Sequence, residues 1–279
     1  MLTLLVGVVI GLVLGLTGAG GSVLAVPLLV FGLGYSTTVA VGISLGTVCA
    51  AAFFGSAQRL GLNQIAWIPA FIFAVSGITL APIGVYLSGF IPQPFHIGSF
   101  GFLMLLIATK MLWQSLKSPE ESLGVRAEAR SSVQEANTPY CKTNTVGKLQ
   151  LKGACVTLLV TSGVITGLLS GIYGVGGGFL IVPALTFLTG ISMRSAIATS
   201  LVVISAISFS GFLAFILQPN AHEVLPVVAI SLTICGALIG MLIGTALSKR
   251  IAGPRLQQLF VGAITVVSVF TLMNVRNLG

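Results

Sequence analysis

Glycines and hydroxyls carry the only chemistry that the apolar part of this sequence offers. Gly18, Gly20 and Gly21 sit between Thr17 and Ser22, while Gly174, Gly176, Gly177 and Gly178 follow Ser170 and Tyr173. Ser44 and Thr47 lie downstream of the first cluster, and Thr199 and Ser200 downstream of the second. Glycine lets backbone N–H groups converge with no Cβ in the way, and hydroxyls donate to oxygen, so this set suits a bound oxyanion. The chain has no aspartate, and no glutamate lies in an apolar stretch. A carboxylate-based cation site or intramembrane carboxylate relay is therefore not expected. Neither glycine run continues into the Lys-Ser/Thr of a phosphate loop, and the two histidines, His96 and His222, stand at the edges of apolar runs. The expectation is a protein that is not an enzyme, with no cofactor and no metal site.

The two clusters are one motif written twice. Residues 18–29 (Gly-Ala-Gly-Gly-Ser-Val-Leu-Ala-Val-Pro-Leu-Leu) return 156 positions later at 174–185 as Gly-Val-Gly-Gly-Gly-Phe-Leu-Ile-Val-Pro-Ala-Leu, so Pro27 meets Pro183. The echo runs through Ser36/Ser192, Ala40/Ala196, Ser44/Ser200 and Leu45/Leu201, then drifts to pair Gly84 with Gly244 and Ser88 with Ser248. The chain reads as an internal duplication, with a membrane repeat at 1–113, a polar linker at 114–153 and a second membrane repeat at 154–279.

Elements that position these clusters follow from composition. Of the 279 residues, 56% are hydrophobic and 6% charged, a balance that no soluble core requires and that makes a bilayer the expected solvent. Apolar runs near 38–57, 65–90, 95–114, 195–217, 224–248 and 256–275 reach the roughly 20 residues that cross a membrane. The fold class expected is an all-α, polytopic membrane protein. A net charge of +8 does not point to nucleic acid, because the basic residues stand at the ends of apolar runs or in the linker, where they report topology. Cys49, Cys141, Cys155 and Cys235 show no metal spacing, and those in or beside spans read as small apolar packers. The linker is too polar for a core of its own and reads as a flexible, cytoplasmic connector with one short helix near 120–136.

Two topologies compete. Four full spans per repeat would leave Arg194, Lys249, Arg250 and Arg255 outside. Helical hairpins, with arms near 2–17 and 22–34 and near 154–173 and 178–190, instead bring Arg59, the linker, Arg194 and the Lys249–Arg255 turn to the inside. The second arms are also too short to cross. This second arrangement makes the repeats antiparallel and lets the glycine breaks meet near the midplane, so each repeat is a glycine-broken hairpin plus three spans.

A break at membrane depth needs protein, water or a ligand against its free backbone groups. Helix starts at Ser22 and Gly178 point N–H groups and the positive end of a dipole at whatever sits there. Other readings stay open. Glycines also serve packing, the carbonyls ending the incoming arms could hold a cation such as sodium, and a serine can satisfy its own helix. Pro27 and Pro183 either kink the short arms or gate them. Arg59 and Arg194 either flank the mouth or anchor the topology.

At residues 18–29 and 174–185, and at Ala-Val-Gly-Ile-Ser-Leu (40–45) and Ala-Ile-Ala-Thr-Ser-Leu (196–201), the chain resembles the sulfite exporter TauE/SafE family. The likeness spans all but the linker. It implies permeation of small sulfur-containing anions such as sulfite or a sulfonate. The expectation is a secondary transporter in the cell membrane working by alternating access, with the glycine tips and the Ser44 and Ser200 spans as its site. A passive anion channel, a thiosulfate-type sulfur importer and a membrane scaffold are the alternatives. Expected partners are a small inorganic or organosulfur anion and the lipid bilayer, with a homo-oligomer left open and no nucleic acid.

Overall fold

The computed structural model describes residues 1–18, 21–60, 65–117, 153–191, 193–218 and 226–248, with positions 262, 265 and 268. Gly20, Ser192, most of the linker, the Lys249–Arg255 turn and nearly all of the run 256–275 lie outside the described residues.

Among the described residues the structure is helical, without strands. The helices are α1 (Leu2–Thr17), α2 (Gly21–Pro27, continued by a π-helical turn Leu28–Gly32), α3 (Thr37–Leu60), α4 (Trp67–Ser88) and α5 (Gln93–Lys117). After the linker come α6 (Gly153–Tyr173), α7 (Gly178–Thr189), α8 (Met193–Ile216) and α9 (Val227–Ser248). Within α3, α4, α6, α8 and α9, five segments are long and apolar enough to cross a bilayer. α7 has 12 residues, about 18 Å of helix, too short to span about 30 Å of hydrocarbon.

Polarity is distributed as lipid demands. Phe71, Phe95, Phe102 and Leu242 are exposed, whereas Ser22, Ser44, Thr47, Ser170, Thr199, Ser200 and Ser208 are fully buried. Hydroxyls therefore collect at the centre and large apolar groups at the rim, the arrangement of a polytopic membrane protein.

Contacts along each helix pair fix its direction. On α1, Gly7, Gly11 and Gly15 face Thr233, Ala237 and Met241 of α9 in ascending order, so these helices run parallel. On α6, Gly163, Gly167 and Gly171 face Phe73, Gly77 and Ala81 of α4 in the same sense. Thr47, Gly55 and Gln58 of α3 meet Thr233, Met241 and Thr245, placing α3 parallel to α9. In contrast, Gly42, Gly46 and Cys49 of α3 meet Phe215, Phe212 and Ser205 of α8 in descending order. Ala66, Gly77 and Ile78 at α4 meet Thr199, Ile207 and Ser210 of α8 in ascending order, so α1 and α3 point one way, and α6 and α8, at the 156-residue offset, point the other.

Both short arms turn back on the helix before them. A Cβ on Gly21 would overlap the Ile10 carbonyl of α1, and Ala25 and Leu29 of α2 share a cluster with Val6 and Ile10. Ile181 and Leu185 of α7 share a core with Cys155 and Leu159 of α6. Hairpins form because glycine ends the first arm, and the second arm covers the apolar side of the first.

The parallel pairs are glycine seams. A Cβ on Gly11 would overlap the Ala237 carbonyl and stand 2.7 Å from its Cα, and one on Gly167 would stand 2.6 Å from the Gly77 Cα. Backbone lies directly on backbone, which gives van der Waals contact that larger residues would prevent.

Candidate functional site

Each incoming helix ends on a left-handed glycine. Gly18 has φ 70° and its N–H donates to the Leu14 carbonyl at 2.7 Å; Gly174 has φ 68° and donates to the Ser170 carbonyl at 2.9 Å. Such caps close the helix and reverse the chain without the cost a Cβ would incur at positive φ. Beyond this shared cap the tips differ. Gly176 and Gly177 also have φ 67°, and Gly177 is the N-cap of α7, its carbonyl accepting from the Leu180 N–H at 3.0 Å. In the first tip Gly21 already lies inside α2. Gly178, the first residue of α7, is buried.

Two serines fasten the tips crosswise. Ser44 of α3 donates to the Gly174 carbonyl at 2.6 Å, and Ser200 of α8 donates to the Gly18 carbonyl at 3.2 Å. The contacts nearby cross in the same way: a Cβ on Gly174 would stand 2.7 Å from the Val41 Cα, and one on Gly18 would stand 2.9 Å from the Ile197 Cβ. Gly176 lies against Val48 of α3 and Ile204 and Ser208 of α8, all near the middle of 24-residue helices. The second tip therefore reaches mid-height.

The hydroxyls have defined directions. Ser200 also donates to the Ile197 carbonyl at 2.9 Å, Thr47 donates to the Ile43 carbonyl at 2.7 Å, and Thr17 to the Val13 carbonyl at 2.8 Å. Thr199 accepts from the Ala66 N–H at 2.9 Å and so caps the start of α4. Ser22 is fully buried in the first turn of α2. A hydroxyl whose proton is held by a carbonyl offers a ligand only lone pairs, so Ser44 and Ser200 act here as latches on the tips. Tyr173 donates to the Ser99 hydroxyl at 3.1 Å, with its ring 5.4 Å from that of His96.

Two residues near the second tip, His96 and Ser208, had little weight in the sequence. His96, in the first turn of α5, is buried, and its Nε2–H donates to the Ile172 carbonyl at 2.8 Å. Ser170 and Ser208 are fully buried, and their hydroxyls have no partner among the described residues. Cys49 is half-buried with its thiol 3.6 Å from the Ser205 carbonyl, and Cys235 is exposed on α9. Cys155, read as a free packer, is buried and disulfide-bonded. Pro27 closes α2 just before the π-helical turn, whereas Pro183 sits inside the regular helix α7. Arg59 is half-buried in the last turn of α3, and Arg194 lies at the start of α8; the bonds from Thr245 to Gln58 and from Ala66 to Thr199 bring those helix ends to one face.

Ser44→Ala is expected to destabilise the protein by about 1–3 kcal/mol, because it strands the buried Gly174 carbonyl. Ser200→Ala should cost less, since its bond to Gly18 is longer and its proton is shared with Ile197. Thermal unfolding of both variants in detergent gives the ranking, and equal midpoints would remove the latch from Ser44.

Two helical hairpins that turn at left-handed glycines among helices long enough to cross a bilayer match the broken-helix pattern of membrane transport proteins. The chain belongs to the sulfite exporter TauE/SafE family, whose model matches residues 3–271. It is 29% identical over 269 residues to a "Probable membrane transporter protein" of Xylella fastidiosa strain Temecula1, covering 95% of this chain and 92% of that one. The "Probable membrane transporter protein YunE" of Bacillus subtilis is 24% identical over 260 residues, covering 90% and 89%. One from Methanocaldococcus jannaschii is 24% identical over 285 residues, covering 98% and 95%. No solved structure matches the chain significantly.

Proposed function

We propose that this membrane transporter is a secondary carrier of small sulfur-containing anions, sulfite, a sulfonate or a related oxyanion, working by alternating access in the cell membrane. The observation that carries the reading is the crossed pair of latches, Ser44 to Gly174 and Ser200 to Gly18. Each half of the chain thereby holds the other half's glycine tip among buried hydroxyls. The sulfur chemistry rests on the family's description.

The two halves are inverted copies of one unit in this reading. Support comes from the opposed directions of α1 with α6 and of α3 with α8, and from left-handed glycines recurring at Gly18 and Gly174 and at Gly34 and Gly190. Two copies related in this way can exchange conformations, which opens a midplane site to one side and then to the other. The latches at 2.6 and 3.2 Å are the contacts such an exchange tightens and loosens in turn. Binding falls to the tip N–H groups and the α7 dipole, gating to Pro27 and its π-helical turn, and the mouth to the face carrying Arg59 and Arg194. That face and the linker are cytoplasmic by the placement of basic residues. No ATP-binding motif occurs in the sequence, so the driving force is an ion or substrate gradient. Catalysis has no place in this reading. A cysteine relay of the thiosulfate-importer type is disfavoured, since Cys235 is exposed on the rim of α9.

Radiolabelled sulfite, sulfate, thiosulfate and ethanesulfonate, presented to vesicles holding the purified protein, test the substrate class. Saturable uptake of sulfite or the sulfonate, suppressed by the other as competitor, is the expected outcome. Uptake of none of the four would remove sulfur anions from the function.

A further inference from the structure

We propose that the anion site is one-sided: the oxyanion is held at the second tip alone, by the hydroxyls of Ser170 and Ser208 and the amides of residues 176–178. The proposal rests on the transport reading above and adds where, and by which groups, the anion is bound.

Three observations converge on the second tip. Ser170 and Ser208 are fully buried, and neither hydroxyl has a hydrogen-bond partner among the described residues. The Ser208 Oγ lies 2.8 Å from the point a Cβ on Gly176 would occupy, and the Ser170 Cβ lies 3.6 Å from the corresponding point on Gly177. One serine thus borders each of two consecutive glycines, Ser208 at Gly176 and Ser170 at Gly177. Those glycines lead into the 12-residue α7, whose first intrahelical bonds are made by Leu180 and Ile181 to Gly177. The amides before them precede the hydrogen-bonded turn and face the tip at the positive end of the helix.

A buried hydroxyl with nothing to bond costs free energy, and nature tolerates it where something else completes it. Two such donors, each beside one of the glycines that lead into α7, are completed by an atom group rich in acceptors and poor in donors, which is the description of an oxyanion. The first tip has no serine at the equivalent positions. The positions 156 residues before Ser170 and Ser208 are Leu14 and Ala52, both fully buried and apolar. Gly21 is also already helical there, whereas its counterpart Gly177 is left-handed. One tip binds, and the other serves as its mechanical counterpart.

Calorimetric titration of the purified full chain with sulfite and with ethanesulfonate tests this, alongside unfolding midpoints without ligand. Ser170→Ala and Ser208→Ala are each expected to weaken binding about ten- to a hundredfold, the usual loss when a hydrogen bond to a charged group is removed. Neither should lower the ligand-free midpoint, because each deletes an unpartnered hydroxyl. Ala52→Ser at the first tip should leave binding unchanged. Sulfite binding lost while ethanesulfonate binding survives still locates the site but assigns it to the organic anion. If wild type binds and both serine variants bind equally well, or if they unfold at lower temperature with affinity intact, the one-sided site is overturned while the transport reading stands. A wild type that binds neither probe overturns both.

Discussion

Gly176→Val abolishes anion flux while the protein still inserts and purifies. At φ 67° a side chain costs about 1–2 kcal/mol before any contact is considered. The added Cβ also meets the Ser208 hydroxyl at 2.8 Å, Val48 at 2.9 Å and Ile204 at 3.1 Å, which belong to the two helices that flank the tip at mid-height. The tip then shifts, and the amides proposed to hold the anion shift with it. Gly34→Val separates strain from site: Gly34 has φ 73° but nothing within 4 Å of the added Cβ. That variant carries the same kind of backbone penalty and keeps its flux. Uptake of labelled sulfite into vesicles at matched protein content measures both, and normal flux through Gly176→Val would take the second tip out of the pathway.

Gly11→Val and Gly167→Val should be the most damaging changes to folding. In each case the new side chain meets backbone rather than a movable side chain, the Ala237 carbonyl and Cα for one and the Gly77 carbonyl and Cα for the other. Two packed helices must separate along their seam, and overpacking of this kind costs about 3 kcal/mol or more when backbone has to move. Loss of the monodisperse peak on detergent gel filtration is the expected readout, with Gly153→Val, where nothing lies within 4 Å, as the control that remains folded. A folded Gly11→Val protein would mean that the α1–α9 seam is looser than the contacts imply.

Much of the architecture is legible in the residues. Arms read at 2–17 and 178–190 appear as Leu2–Thr17 and Gly178–Thr189, because a glycine that must adopt positive φ marks a helix end directly. The charge pattern of arginine and lysine leads to the expectation that the halves are opposed, and the contacts show α3 and α8 running in opposite directions. Other features needed three dimensions. The destination of a hydroxyl proton depends on register between helices, so Ser44 could be read as a ligand but not as the latch on Gly174. Ser208 carries no repeat signal in the sequence, because its counterpart at the 156-residue offset is Ala52. The seams were visible as glycines four apart at 7, 11 and 15 and at 163, 167 and 171, yet only the partner helices show that these glycines lie on backbone. The π-helical turn after Pro27 has no counterpart after Pro183, so the repeat could not announce it.

Counterflow of sulfite tests the central claim most directly. Proteoliposomes preloaded with unlabelled sulfite are diluted into labelled sulfite, and entry of label is compared with that into empty vesicles. The carrier described here predicts faster, transient accumulation of label in the preloaded vesicles, because the inward-facing site returns loaded. Equal entry with and without internal sulfite, at rates far above carrier turnover, would contradict alternating access and make the protein a passive anion pore.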